Sequence, residues 1–229
     1  GAAARDVSIT GNNTGFTGLW KLSPSNVGVG GLGSMRTSTL MTPTSLGSAA
    51  VQVDNGGQLW VAGNTFTNTI TITGTGYAEA VDLQALTPGT SSTLEAWVYL
   101  TSPPGGLASI INKWSQSVDD EYLFGLSSNR RLYFAWKTTG AAAWGTPSYN
   151  ETTAESGGEL PVGAWTHVAV VRSGTTLTFY INGDVVATST VMDTNPFRDG
   201  RNTLRIGAQG RGTTSSSFPG LIDDVRIYN

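Results

Sequence analysis

The sequence has no cysteine, one histidine and few charges: only 13% of its 229 residues are Asp, Glu, Lys or Arg. Without cysteine there is neither a disulfide framework nor a thiolate zinc site. With His167 as its only imidazole, the chain has no multi-histidine metal centre either. Thirteen Lys and Arg against sixteen Asp and Glu leave a net charge of −3. That is the wrong sign for a partner held by phosphate neutralisation, so nucleic acid is not expected as a partner. No run approaches the ~18 apolar residues that a helical span requires, so no membrane partner is expected. The first methionine is Met35, and no basic stretch followed by an apolar one opens the chain. No signal peptide is therefore expected, and the chain reads as part of a longer or processed polypeptide.

What the sequence does have is Gly (30), Thr (32) and Ser (22), more than a third of all residues. Residues 1–56 carry five charges (Arg5, Asp6, Lys21, Arg36 and Asp54) and glycine-rich pieces such as Gly28–Gly33. That glycine run lacks the Gly-Lys-Ser/Thr ending of a phosphate loop and reads as a turn. The segment is expected to be an extended arm with one strand near 18–23, ordered against a neighbouring subunit or against its own domain. From residue 57 the pattern changes to repeated two-residue alternation. Leu94, Ala96, Val98 and Leu100 alternate with Glu95, Trp97 and Tyr99, while Trp165–Arg172 and Leu177–Ile181 are strong strands. Asn182-Gly183 predicts a type I′ hairpin turn, which needs positive φ at both residues. No segment sustains a helical period, and Val81–Leu86 has room for one short turn. The pattern predicts an all-β fold: a two-sheet antiparallel jelly-roll sandwich over 57–229, preceded by the arm over 1–56.

Five motifs in order make the reading more specific. They are Ser92-Thr93-Leu94-Glu95-Ala96-Trp97-Val98, Gly163-Ala164-Trp165-Thr166-His167-Val168-Ala169-Val170-Val171, Leu177–Gly183, Leu204-Arg205-Ile206-Gly207 and Phe218–Asn229. Their order and spacing over roughly 66–229 resemble the laminin G-like domains of the concanavalin A-like lectin/glucanase superfamily. The resemblance implies a jelly roll with a non-catalytic recognition role toward glycans or surface proteins. It also implies a place within a longer extracellular or virion protein, and a calcium ion in many members.

Glycoside hydrolysis needs two carboxyl groups flanking the scissile bond, and no Glu-x-Asp-x-x-Glu run exists. Asp119-Asp120-Glu121 and Asp223-Asp224 are adjacent residues, which point to opposite faces of a strand. A Ser-His-Asp triad would need His167, which sits in a dense apolar strand and reads as structural. The sequence thus argues against an enzyme, with glycoside hydrolase as a distant alternative. Period 2 places Asp223 on the inward side with Val225 and Ile227. An inward carboxylate needs compensation, from calcium with Asp82 or Asp54 as second carboxylates, or from hydrogen bonds and arginines. Trp114, Trp136, Trp144 and Tyr149 are the candidate sugar-stacking rings, the last two in a long loop. Trp97 and Trp165 read as core. Arg201 and Arg205 belong to an arginine cluster able to clamp acidic groups. The reading is a recognition or adhesion module for glycan or a surface protein, extracellular or on a virion surface. A homo-oligomer or larger assembly through residues 1–56 is the expected quaternary context. The alternative is a structural virion decoration or fibre protein assembled through that arm.

Overall fold

The computed structural model describes residues 6–8, 15, 17–22, 34–36, 50–54, 58–61, 70–73, 77–80, 82–115, 119–140, 152–190, 192–209 and 216–229. Seven short strands come first: β1 (Asp6–Ser8), β2 (Leu19–Leu22), β3 (Ser34–Arg36), β4 (Ala50–Asp54), β5 (Gln58–Val61), β6 (Ile70–Thr73) and β7 (Tyr77–Ala80). Ten follow: β8 (Ser91–Leu100), β9 (Ala108–Asn112), β10 (Tyr122–Leu126), β11 (Arg131–Trp136), β12 (Thr152–Glu159), β13 (Trp165–Ser173), β14 (Thr176–Ile181), β15 (Asp184–Ser189), β16 (Leu204–Ile206) and β17 (Gly220–Tyr228).

The first seven strands run in a coil. β1, β3, β5 and β7 pair in parallel in one sheet, and β2, β4 and β6 pair in parallel in another. A two-residue hairpin cannot join parallel neighbours. Here each connection passes through the opposite sheet, and partners Asp6, Ser34, Gln58 and Tyr77 recur down one ladder. The segment expected as an arm with one strand near 18–23 thus contributes four strands, of which β2 is the expected one.

β7 is the joint between the two styles of pairing. It is parallel to β5 on one side and antiparallel to β16 on the other. The resulting nine-stranded sheet has the order β1-β3-β5-β7-β16-β9-β10-β11-β12, and the facing five-stranded sheet is β15-β14-β13-β8-β17. β6 lies alongside β17, so the three-stranded sheet abuts the edge of the five-stranded one.

The core lies between the sheets. Alternation sends Leu94, Ala96, Val98 and Leu100 of β8 inward against Phe124, Phe134, Phe179 and Trp136. Burying such a side chain contributes about 1.5–3 kcal/mol. Asn182 and Gly183 both take positive φ (51° and 87°), as the Asn-Gly signal predicts. The nine-stranded sheet is also covered on its other side, where Trp114, Leu123 and Ala135 form a second buried cluster.

Candidate functional site

The outer face of the five-stranded sheet is where large apolar side chains meet solvent. β8 and β13 pair with Trp97 opposite His167 and Tyr99 opposite Trp165. Two-residue alternation puts all four rings on the side away from the core. They form a two-by-two tile. Trp97 and His167 meet edge-on with centroids 5.5 Å apart, and Tyr99 and Trp165 are tilted by 58° at 5.7 Å. Trp97 is 40% exposed and Trp165 44%, while Tyr228 on the adjacent β17 and Val185 on β15, two strands from β13, are exposed as well. Contiguous exposed apolar surface rimmed by polar groups marks interaction sites.

The polar rim comes from β17. Asp223 stands opposite Trp97, and Arg226 stands opposite Glu95. Three steps along β17 thus match two along β8, and the extra residue makes a β-bulge with Asp224 at φ +47°. Asp tolerates this left-handed conformation better than most residues. The bulge has a direct consequence for Asp223. Ile222 and Val225 both pack on the core, so strict alternation fails between them and Asp223 emerges on the outer face. The inward placement expected from period 2 is corrected accordingly.

Glu95 ties the rim together. Its carboxylate accepts from Tyr228 Oη at 3.2 Å, lies 3.4 Å from Arg226 Nη1, and has His167 Nε2 at 3.6 Å. Arg226 also holds Asp224 at 2.8 Å. Tyr228, Asp224 and Glu95 together keep its guanidinium above its ordinary pKa. His167 is half-buried, and its main chain exchanges hydrogen bonds with Asn182 at the turn.

The other candidate residues are placed differently. Trp136 is 3% exposed and stacks on Phe134 within the core; Trp114 is also 3% exposed, under the second cluster. Neither offers a ring face to a ligand, which corrects their expected role; the exposed Trp97 and Trp165 correct the expectation that they are core. Arg205 is buried, 3.3 Å from Glu79 and above the Tyr77 ring, so it is no clamp for an outside anion. Arg201 is exposed. Trp144 and Tyr149 lie outside the described residues, as does the side chain of Asp54.

Asp82 belongs to a buried charge cluster. The Lys113 ammonium lies 2.7 Å from Asp82 and 2.8 Å from Glu121, and both Lys113 and Glu121 are fully buried. Thr87 and the Gly200 amide donate to Glu121. A Cβ on Gly200 would sit 2.1 Å from the Asp119 carbonyl, so only glycine allows this approach. Burial pushes the Glu121 carboxyl up to about 7, against the opposing pull of Lys113 and Thr87. Of the carboxylates expected for calcium, the two whose side chains are described do not come together. Asp82 is neutralised by Lys113, Asp223 faces out from the other sheet, and among the described residues no three acidic or histidine groups converge.

Residues 72–229 match a laminin G family profile described as the concanavalin A-like lectin/glucanases superfamily. Solved structures share the fold. Domains LG4-5 of the mouse laminin α1 chain align with 16% identity and a TM-score of 0.51, over 69% of this chain and 41% of that one. The LG1-3 region of the laminin α2 chain aligns with 15% identity and a TM-score of 0.51, over 69% and 30%. The CBM40 of a Ruminococcus gnavus sialidase, bound to α2,3 sialyllactose, aligns with 15% identity and a TM-score of 0.50, over 62% and 76%. No curated protein matches the chain in sequence.

Proposed function

The chain belongs to the concanavalin A-like lectin/glucanases superfamily, and from that premise we propose that it is a non-catalytic recognition module. It binds a glycan or a glycan-bearing surface partner, as part of a larger extracellular assembly. The observation that carries this reading is the ring tile of Trp97, Tyr99, Trp165 and His167, whose two indoles are exposed on the outer face of the sheet. Aromatic rings with an apolar body at the surface are costly to leave in water and gain on docking. Strand-mounted side chains hold their geometry better than loop-mounted ones.

The carboxylates of the same face support the non-catalytic reading. Glu95 and Asp223 both rise from the outer face of the sheet. Hydrolysis needs two carboxyls free to act as acid, base or nucleophile. Glu95 is engaged by Tyr228 and Arg226.

The test is binding of the intact chain to a glycan microarray and to glycan-bearing cells, with Trp97→Ala/Trp165→Ala beside it. The reading expects binding by the native chain and at least a tenfold loss in the double variant. Equal binding by both would overturn it.

A second reading, assembly through the N-terminal strands, is favoured by one observation. Both coil sheets end in short parallel edge strands, β1 and β2. Edge strands carry unpaired backbone groups able to pair with another chain. Light scattering on the intact chain and on one starting at Gln58 tests it: an oligomer lost with residues 1–57 supports assembly, and a monomer in both removes it.

A further inference from the structure

We infer that the ligand of the ring tile is an uncharged glycan chain and not an acidic one, an inference that rests on the recognition reading above. The argument begins with the charges of the five strands. They carry four carboxylates (Glu95, Asp184, Asp223 and Asp224) and two guanidiniums (Arg172 and Arg226). Arg172 is 2% exposed and donates to the carbonyls of Gly89, Gly174, Asp193 and Asn195. Arg226 is held by Asp224 and Glu95. An anionic sugar arriving at Trp97 would thus meet Asp223 and Glu95 with the neighbouring cation already engaged. Recognition of a carboxylate or sulfate wants the opposite, a guanidinium fork presented to the ligand.

Hydroxyl groups suit this rim well. Carboxylates are strong acceptors, and a sugar hydroxyl donates to them without bringing a charge that must be neutralised. Asp223 uses Oδ1 to accept from the Asp224 amide at 2.8 Å, and the carboxylate has further acceptor capacity. Asn182, whose Oδ1 accepts from the His167 amide, brings amide donors beside the tile.

The shape of the tile separates a glycan from a small cation, the other ligand that rings and carboxylates attract. A cation cage needs rings closing around the ligand. Here all four rings rise from one face of one sheet, on two adjacent strands. Trp97 and Trp165 occupy diagonal positions, roughly 7–8 Å apart at the backbone on a regular antiparallel pair. Each indole is braced by its cross-strand ring, His167 or Tyr99. Such a surface is open at its margins and suits the apolar faces of successive sugar rings in a chain.

The experiment is calorimetric titration of the intact chain with three probes. The first is a set of neutral gluco-, manno- and galacto-configured oligosaccharides. The second is a set of acidic ones, sialylated lactose and uronic-acid oligomers. The third is tetramethylammonium. The inference expects a neutral oligosaccharide to bind, tenfold or more weaker binding in Trp97→Ala and in Trp165→Ala, and largely retained binding in Trp97→Phe. The Phe variant keeps a ring and so separates a lost contact from a lost fold. Binding confined to acidic oligosaccharides or to tetramethylammonium, and lost in the Trp variants, would overturn the uncharged ligand while leaving a recognition face. Neutral binding that neither Trp variant weakens would overturn the site. Binding to none of the probes or to any arrayed glycan would overturn this inference and the glycan reading together.

Discussion

Both sheets of the sandwich carry tryptophan on the side away from the core, yet the two outer faces are opposites. On the nine-stranded sheet Trp114 is 3% exposed and sealed with Leu123 and Ala135. On the five-stranded sheet Trp97 and Trp165 are 40% and 44% exposed. The same residue type therefore does different work on the two faces: one ring is packing, the other two are offered to solvent. Strand alternation tells which side of a strand a residue takes, but not whether that side meets water. The difference comes from what covers each sheet, a tertiary fact absent from any local pattern.

The comparison can be broken first at the buried end. Lys113→Met strands the Glu121 carboxylate without its cation, and at pH 8 should cost about 3–5 kcal/mol in urea denaturation. A much smaller loss would mean that water reaches this charge cluster. Trp114→Ala should also cost about 3–5 kcal/mol, because a large buried ring leaves a cavity. If Trp114→Ala proved as mild as Trp165→Ala, the contrast between the two faces would fail.

A smaller effect sharpens the comparison through pH. Glu121 sits near 7 in the folded chain, against an ordinary 4.5. Between those values the folded state keeps a proton that the unfolded chain has released, so stability falls as pH rises through that window. The contribution is fully present below about 4.5 and lost once pH passes about 7. The melting temperature should therefore drop by a few degrees from pH 5 to pH 8, and the slope should flatten in Glu121→Gln. An unchanged slope in that variant would assign the pH dependence to another group. The smallest stability effect belongs to the exposed face. Trp165→Ala should change stability by less than about 1 kcal/mol, as surface substitutions do, while weakening glycan binding tenfold or more in the same preparation.

Much of the antiparallel part was legible in the sequence. The alternation of Leu94 to Leu100 and the Asn182-Gly183 turn locate β8 and the β14–β15 hairpin, because antiparallel neighbours are joined by short turns with their own residue chemistry. The parallel coil was not legible beyond Leu19–Leu22. Its strands are three to five residues long, and parallel pairing leaves no hairpin signal between partners far apart in sequence. The site was read in part. Glu95, Trp97, Trp165 and His167 all lie in the motifs that carry the family resemblance, but the apolar pattern of those strands reads Trp97 and Trp165 as core. The sign that could have found them is that Trp97, Tyr99 and Glu95 share one side of β8 while Leu94, Ala96, Val98 and Leu100 fill the other. Period 2 misplaces Asp223 because a bulge, with Asp224 at φ +47°, breaks the alternation.

The most direct measurement is the set of indole N–H signals in a ¹⁵N–¹H spectrum while a neutral oligosaccharide is titrated in. The signals of Trp97 and Trp165, assigned by substitution to Phe, should shift with ligand and saturate together, while those of Trp114 and Trp136 stay in place. Shifts confined to other tryptophans, with Trp97 and Trp165 unmoved at saturation, would contradict recognition by the outer face of the five-stranded sheet.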